Sequence, residues 1–368
     1  MARKILIITN NLAIGGAERL VVDDINEMLR IGIDVTLITL APESHKSFSS
    51  DLLLDQCSFH CNPFKNFLDI SSWISLVRSI KESKTDLIIT QLWYANTIGR
   101  IAGILAGAPA IVSFEQNVYD GIKSKKRFIA DWFLQFFTTK IIAVSEAVRT
   151  SLMKHFIQQT RIDVLHNSID LSAFTAPLNG ISIRKECRIP DDAFLYTFIG
   201  RLIHQKAIDV LIEAFKDVSE ESCLLIVGQG KYRDTIERQV KKYNLEKKIV
   251  FTGVRSDVPR LLSSADCFVL PSRYEGLPLV LIEALAAGSA IIVSDFESAQ
   301  EVIVHEKNGL VVPKEDAKAL SQAMLRMKDD DALRSRLAVA SRKSSEKFSI
   351  SRHVDALLQY AVSHNNER

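Results

Sequence analysis

The sequence has little that would place it outside the cell, around a metal, or through a membrane. Its five cysteines, Cys57, Cys61, Cys187, Cys223 and Cys267, are scattered. Cys57 and Cys61 are the one close pair, and no second pair completes a zinc site. Buried free thiols in a reducing cytosol are expected. No stretch reaches the roughly eighteen apolar residues that a spanning helix needs. The apolar run of MARKILIITNN stops at Asn10 and Asn11, too early for a signal peptide, so a cytoplasmic protein is expected. The formal net charge is only +2, which excludes whole-molecule attraction to nucleic acid. No G-x-G-x-x-G follows the first strand, which argues against a dinucleotide cofactor. Short-period repeats and low-complexity tracts are also missing.

What is present is a globular composition, 47% hydrophobic and 24% charged over 368 residues. That length suits two domains better than one core. Short apolar runs alternate with helical patterns. KILIIT (Lys4–Thr9) leads through a glycine turn to a helix over Ala17–Arg30, and DVTLITL (Asp34–Leu40) follows. DLIIT (Asp86–Thr90), AIVSF (Ala110–Phe114), KIIAV (Lys140–Val144) and RIDVL (Arg161–Leu165) repeat the theme. The alternation pauses at His166–Asp192, rich in Asn, Asp, Pro and Gly, which reads as a linker. It restarts with AFLYTFIG, CLLIVG, KIVFTG, DCFVLP, AIIVSD and GLVVP. Continuous apolar strands alternating with helices signal parallel sheets covered on both faces. The reading is α/β: two doubly wound, Rossmann-like parallel-sheet domains facing across a cleft. The boundaries are 1–170, 171–350 and a terminal helix over 351–368 packing back towards the N-terminal domain.

In such sheets ligands bind beyond the carboxyl ends of the strands. After the first strand, NNLAIGGAE places Gly15 and Gly16 before a helix, where free amides favour an anion. A tight strand-to-helix turn explains the same pair. In GRLIHQKAIDVLIEAF, Gly200 lets the chain turn, and Arg201 and Lys206 precede a helix near Ala207. They suit a diphosphate clamp; a solvated surface pair is the alternative. His204 between them reads as an exposed loop residue. In SRYEGLPLVLIEALAAG (Ser272–Gly288), Glu275 stands in a loop, and a helix over Pro278–Ala287 ends at Gly288. Glu283 lies within that apolar helix. Burying an unpaired charge there costs several kcal/mol, so its partner is either a ligand diol or neighbouring side chains. The amides of Gly276, Leu277 and Leu279 could meet a phosphate.

Ser272–Gly288 resembles the E-x(7)-E motif of retaining glycosyltransferases of glycosyltransferase family 4, which have the GT-B fold. IGGAE, VSEAV (Val144–Val148), NSID (Asn167–Asp170), GRLIHQK, VGQGKYR and FTGVRSDVPRLLSSADCFVLPS resemble the same family in order and spacing, across essentially the whole chain. The resemblance implies a catalytic set of Arg201, Lys206 and Glu275. The two cations would hold the diphosphate of a nucleotide sugar, and Glu275 would bind hydroxyls of the transferred sugar. Glu283 would bind the ribose, Gly276 and Leu277 would lie near sugar and phosphate, and Val254 and Arg255 would line the base pocket through main chain. Gly15 and Gly16 would approach donor phosphate and acceptor. The donor, with a UDP-sugar favoured, would belong to the C-terminal domain, and a glycan or lipid-linked acceptor to the N-terminal domain. Anomeric configuration would be retained, with no protein nucleophile firmly implied. The setting would be cell-envelope polysaccharide synthesis.

No metal or other cofactor is expected, because Arg201, Lys206 and helix ends can neutralise the diphosphate. The one D-x-D spacing, Asp329–Asp331, reads as a turn that starts a helix. Where many family members have Glu-His-Asn, this chain has Glu115-Gln116-Asn117, candidate acceptor or sugar contacts without a proton-carrying histidine. GIKSKKRFIADWFLQFF (121–137) sets Lys123, Lys125, Lys126 and Arg127 before Phe128, Trp132, Phe133, Phe136 and Phe137. It fits a helix lying on the inner face of the membrane, or an ordinary helix burying Phe128, Trp132 and Phe136 against the sheet. A nucleotide-sugar epimerase and a non-catalytic nucleotide-sugar binding module are the rival functions.

Overall fold

The computed structural model describes residues 4–43, 46–118, 125–175, 182–218 and 220–363. The chain forms two compact units, Met1–Ile169 with Phe348–Arg368, and Asp170–Lys347.

The first unit runs β1 (Lys4–Thr9), α1 (Gly16–Arg30), β2 (Asp34–Thr39), β3 (Ser58–Cys61), α2 (Ile70–Ser83), β4 (Leu87–Gln91), α3 (Trp93–Ala106), β5 (Ile111–Glu115), α4 (Lys125–Leu134), β6 (Lys140–Ala143), α5 (Glu146–Lys154) and β7 (Ile162–Val164). Its strands are parallel in the order β3-β2-β1-β4-β5-β6-β7. Helices cover the sheet, so β4 and β5 are buried along their whole length. Helix α1 packs Leu20, Val21, Ile25 and Met28 inward. Polar caps start the helices: the Ser145 hydroxyl accepts from the Val148 amide, and Asp69 accepts from the Ser72 amide. The sequence pattern does not predict β3, because SFHC is polar and mostly exposed and pairs only with β2 at the sheet edge.

The second unit contains α6 (Ile183–Glu186), β8 (Phe194–Ile199), α7 (Ile208–Phe215), β9 (Ser222–Val227), α8 (Arg233–Lys242), β10 (Ile249–Gly253), α9 (Val258–Ser264), β11 (Cys267–Leu270), α10 (Leu279–Ala287), β12 (Ile291–Ser294), β13 (Leu310–Val312), α11 (Ala317–Asp329) and α12 (Asp331–Ser345). Its parallel order is β10-β9-β8-β11-β12-β13. Helix α13 (Ile350–Ser363) returns to the first unit, where it packs on α1. Ile169 and Phe348–Ile350 exchange backbone hydrogen bonds of 3.0 Å at that return. His353 of α13 is buried, which pushes its pKa down to about 4, and its Nδ1 lies 3.0 Å from the His166 carbonyl oxygen.

Several local expectations need correction. Pro278 is the N-cap of α10, not a residue of its first turn; its φ of −70° suits both positions. The stretch His166–Asp192 is partly ordered: Asn167 and Ser168 are buried, a 3₁₀ turn covers Leu171–Phe174, and α6 begins at Ile183. Residues 176–181 lie outside the described set. Of the thiols, Cys57, Cys223 and Cys267 are buried, but Cys61 is exposed on the edge strand and Cys187 half-buried. Burial pushes the Cys57 thiol up to about 11.

Candidate active site

Both sheets reverse their strand order once, between β1 and β4 in the first and between β8 and β11 in the second. At such a switch point the flanking loops diverge and leave a crevice beyond the strand ends. In the second unit those loops are Gly200–Ala207 and Pro271–Pro278, which carry Gly200, Arg201, Lys206, Glu275, Gly276 and Leu277.

The first loop is held from below by the turn after β9. Gly200 and Leu202 amides donate to the Val227 and Gln229 carbonyls at 2.9 Å, and the Tyr232 amide donates to Leu202 at 2.9 Å. The backbones meet so closely that a Cβ on Gly228 would lie 2.0 Å from the Gly200 oxygen. Only glycine fits there, and its φ of +131° points the same way. With Gly200–Leu202 fixed, a 3₁₀ turn over His204–Lys206 swings Gln205 and Lys206 inward.

The result is a compact polar assembly around Glu275. The Lys206 Nζ lies 2.7 Å from Glu275 Oε1, and both residues are only 6–7% exposed. Ser272 Oγ donates to Oε1 at 2.8 Å, and Gln205 Nε2 donates to Oε2 at 3.0 Å. The same amide reaches the Tyr274 carbonyl at 3.0 Å, while the Arg273 amide donates back to Gln205 at 2.8 Å. From beyond β12, Ser298 Oγ donates to the Glu275 carbonyl at 3.2 Å. A buried ion pair is tolerated where further hydrogen bonds satisfy the remaining lone pairs. Glu275 therefore stands in the loop before α10 and inside a buried network. An ammonium has three N–H donors, so Lys206 can hold Glu275 and a phosphate oxygen together.

The other named residues fall around this assembly. Arg201 is exposed on the Gly200–Ala207 loop, as is His204. Gly276 and Leu277 are buried between Glu275 and α10. Glu283 is half-buried on the second turn of α10, whose Leu281, Ile282, Ala284 and Leu285 are fully buried. Val254 and Arg255 follow β10; the Arg255 guanidinium binds Asp257 at 2.8 and 2.6 Å and also pairs with Glu186. Gln205, Ser272, Arg273 and Ser298 escape the sequence reading. Gln205 and Ser272 stand inside the quoted motifs, but nothing local marks them as partners of Glu275. Arg273 grips Asp209 at 3.0 and 2.7 Å and pairs with Glu315, bracing the loop from outside.

In the first unit, Gly15 is extended, with φ −168°, and Gly16 opens α1. Glu115 ends β5 and is buried, its Oε1 3.3 Å from Asn96 Nδ2. Gln116 accepts from Asn167 Nδ2 at 3.2 Å, and Asn117 is half-buried beside it. Asp329–Asp331 joins two helices: Asp330 caps α12 through the Leu333 amide and Asp331 pairs with Arg334. Among the described residues, no group of three or more His, Cys, Asp or Glu could hold a metal ion.

The expected burial of Trp132 and Phe136 is overturned. Residues 119–124, with Lys123, lie outside the described set, as do the side chains of Lys125 and Lys126. In the remainder, Trp132, Phe133, Phe136 and Phe137 are 43–57% exposed and Ile129 is 66% exposed. Helix α4 buries Asp131 and Leu134 instead, because Asp131 pairs with the buried Arg100 of α3. Phe128 stacks on His155 at 3.5 Å. No helix among the described residues is long and apolar enough to cross a membrane.

Two α/β units, each with a doubly wound parallel sheet, make up the GT-B architecture. The model described as Glycosyltransferase Family 4 matches residues 14–173, and that described as Glycosyl transferases group 1 matches residues 181–344. The chain belongs to glycosyltransferase family 4. It is 28% identical over 310 residues to the UDP-Gal:alpha-D-GlcNAc-diphosphoundecaprenol alpha-1,3-galactosyltransferase of Escherichia coli, covering 81% of this chain and 80% of that one. It is 23% identical to the capsular polysaccharide biosynthesis glycosyltransferase CapM of Staphylococcus aureus, over 86% of each. Among solved structures it shares its fold with HepE of Anabaena in complex with UDP and glucose, with a TM-score of 0.87 and 20% identity over 98% of this chain and all of that one.

Proposed function

We propose that the protein is a retaining, metal-independent hexosyltransferase. It moves a sugar from a nucleoside-diphosphate sugar, with UDP favoured, to a glycan or lipid-linked acceptor in cell-envelope polysaccharide synthesis. The observation that carries this reading is the buried Lys206–Glu275 pair at the switch point of the second unit. Transfer breaks the bond between sugar C1 and the diphosphate and forms one to an acceptor hydroxyl oxygen, whose proton passes to the departing diphosphate. Negative charge gathers on the leaving diphosphate, where Lys206 and the exposed Arg201 supply preorganised positive charge. Glu275, held in one orientation by Ser272 and Gln205, accepts from hydroxyls of the transferred sugar. Glu283 accepts from the ribose diol, and the Gly276–Leu277 backbone meets sugar and phosphate. Val254 and Arg255 border the base; with its guanidinium tied to Asp257 and Glu186, Arg255 contributes main chain. The first unit holds the acceptor, with Glu115, Gln116 and Asn117 among its contacts and Gly15 and Gly16 near its reacting end. The names of the Escherichia coli and Anabaena proteins support UDP and a lipid-diphosphate acceptor.

The test is transfer of labelled sugar from UDP-glucose, UDP-galactose and their N-acetyl forms to a polyprenyl-diphosphate sugar in excess EDTA. Label on the acceptor with the donor's anomeric configuration is expected. Label that changes stereochemistry without an acceptor would replace the transferase by an epimerase. Loss in EDTA restored by magnesium would refute metal independence.

A lipid-linked acceptor requires the enzyme to work at the membrane, and α4 offers the contact, acting from the cytoplasmic face. The exposed Trp132, Phe133, Phe136 and Phe137 follow a basic start in sequence, the pairing that favours anionic lipid surfaces. Burying a whole aromatic side chain contributes about 1.5–3 kcal/mol, and these are about half exposed. Trp132→Ser with Phe133→Ser should therefore weaken binding to phosphatidylglycerol vesicles by roughly ten- to a hundredfold. Unchanged sedimentation with vesicles would exclude this face.

A further inference from the structure

The turn that delivers Lys206 to Glu275 is fastened by one side chain whose own hydrogen bonds go elsewhere. Arg273 stands two residues before Glu275, and its side chain is 12% exposed. A guanidinium has five N–H donors, and in Arg273 all five are engaged. Nε donates to Glu315 Oε1, and Nη2 donates to Glu315 Oε2 at 3.0 Å. Nη2 also donates to Asp209 Oδ2 at 2.7 Å. Nη1 donates to Asp209 Oδ1 at 3.0 Å and to the His204 carbonyl. The main chain takes a second hold on the same turn, because the Arg273 amide donates to the Gln205 carbonyl at 2.8 Å.

The backbone held in this way is not one that the chain adopts for its own sake. Ala207, directly after Lys206, has φ 48° and ψ 40°, and Glu315 has φ 61°. Residues with a side chain enter the left-handed region at a cost and stay there only where their surroundings over-determine them. Arg273 supplies that constraint at both places. It binds His204 and Gln205 ahead of Lys206, and Asp209 beyond it on α7, so Lys206 is pinned from both sides to the segment that carries Glu275. The Lys206 Nζ then meets Glu275 Oε1 at 2.7 Å. A lysine at position 273 could keep the charge but not the arrangement, because a single ammonium cannot fork between two carboxylates and a carbonyl.

We propose that Arg273 is a positioning residue for sugar transfer. It acts through the His204–Lys206 turn and not on the donor itself, holding the Lys206 ammonium in register with the Glu275 carboxylate so that one meets diphosphate while the other meets the sugar. The inference rests on the transferase reading.

The experiment places Arg273→Lys in two backgrounds. One is the parent chain. The other is Lys206→Met with Glu275→Gln, which removes both charges of the pair that Arg273 would position while keeping the side chains similar in volume. Turnover per folded molecule, UDP affinity and melting temperature are measured, with the UDP-sugars and polyprenyl-diphosphate acceptor named above. In the parent, Arg273→Lys should lower turnover about tenfold and weaken UDP about threefold, the scale of a small misplacement of reacting groups. In the second background it should leave UDP affinity within about twofold, because no cation remains to be misplaced and coupled residues do not add. Asp209→Asn, which weakens one arm of the fork at a half-buried position, is the milder second variant and should cost about threefold in turnover. A lower melting temperature with unaltered turnover per folded molecule makes Arg273 a structural brace and overturns the proposal. Equal weakening of UDP in both backgrounds also overturns it, since Arg273 would then act on the nucleotide directly. Either result leaves the transferase reading standing. A parent that neither binds UDP nor transfers sugar overturns that reading, and this inference with it.

Discussion

Lys206→Ala lowers the turnover of sugar transfer at least about a hundredfold, the usual scale for losing one preorganised donor to developing charge. Lys206 is the buried cation on the switch-point loop and already lies 2.7 Å from Glu275. Its removal has a second consequence. Glu275 stays buried with Ser272 and Gln205 as partners but no cation, and breaking one side of a buried pair destabilises by about 3–5 kcal/mol. Catalytic loss must therefore be measured per folded molecule, at saturating donor and below the melting temperature. Glu275→Gln separates the two effects. It releases Lys206 for phosphate, so UDP affinity should hold or rise while turnover falls, because the glutamine offers the sugar one acceptor oxygen in place of two. Arg201→Ala supplies the control for stability: Arg201 is exposed, so this variant should melt normally and still lose about a hundredfold in turnover. If Lys206→Ala melts early but turns over normally per folded molecule, the lysine is a structural counter-ion and the diphosphate role is wrong.

The fold was readable because its signal is local. The ILII of KILIIT and the LII of DLIIT are apolar at consecutive positions, as strands of a parallel sheet covered on both faces require. The edge strand Ser58–Cys61 lacks that signal, since one side of it meets water and its residues alternate without an apolar run. The site is a different matter. E-x(7)-E and GRLIHQK mark where to look, but the Lys206–Glu275 contact joins residues far apart in sequence, and Gln205 and Ser272 enter only through that folding. A loop position says nothing of burial; the turn His204–Lys206 brings Gln205 and Lys206 to Glu275 and encloses it. The segment 121–137 shows the same limit from the opposite side. Aromatics at helical spacing define a stripe, not the direction it faces. The choice falls to Arg100, outside that segment and invisible to any local period.

That choice can be tested directly. Asp131→Ala should lower the stability of the protein by about 3–5 kcal/mol, one of the largest effects available to a single substitution away from the candidate active site. Arg100 and Asp131 have side chains 1% and 5% exposed, and the Arg100 Nε donates to the Asn96 carbonyl at 2.7 Å. Without the carboxylate the guanidinium is left buried, and its Nη1 already lacks a partner among the described residues. Native domains hold only about 5–15 kcal/mol, so urea unfolding should shift to a clearly lower midpoint. Arg100→Met with Asp131→Leu removes both charges at similar volume and should recover most of the loss, since apolar replacements of buried pairs are often neutral or better. The two variants should then part in function. Asp131→Ala loosens α4 against α3, so it disturbs both the exposed aromatic face and Asn96, whose side chain donates to Glu115. Vesicle binding and acceptor use should fall together in it and return together in the double variant. A single variant within about 1 kcal/mol of the parent would show that packing, and not this ion pair, orients the helix.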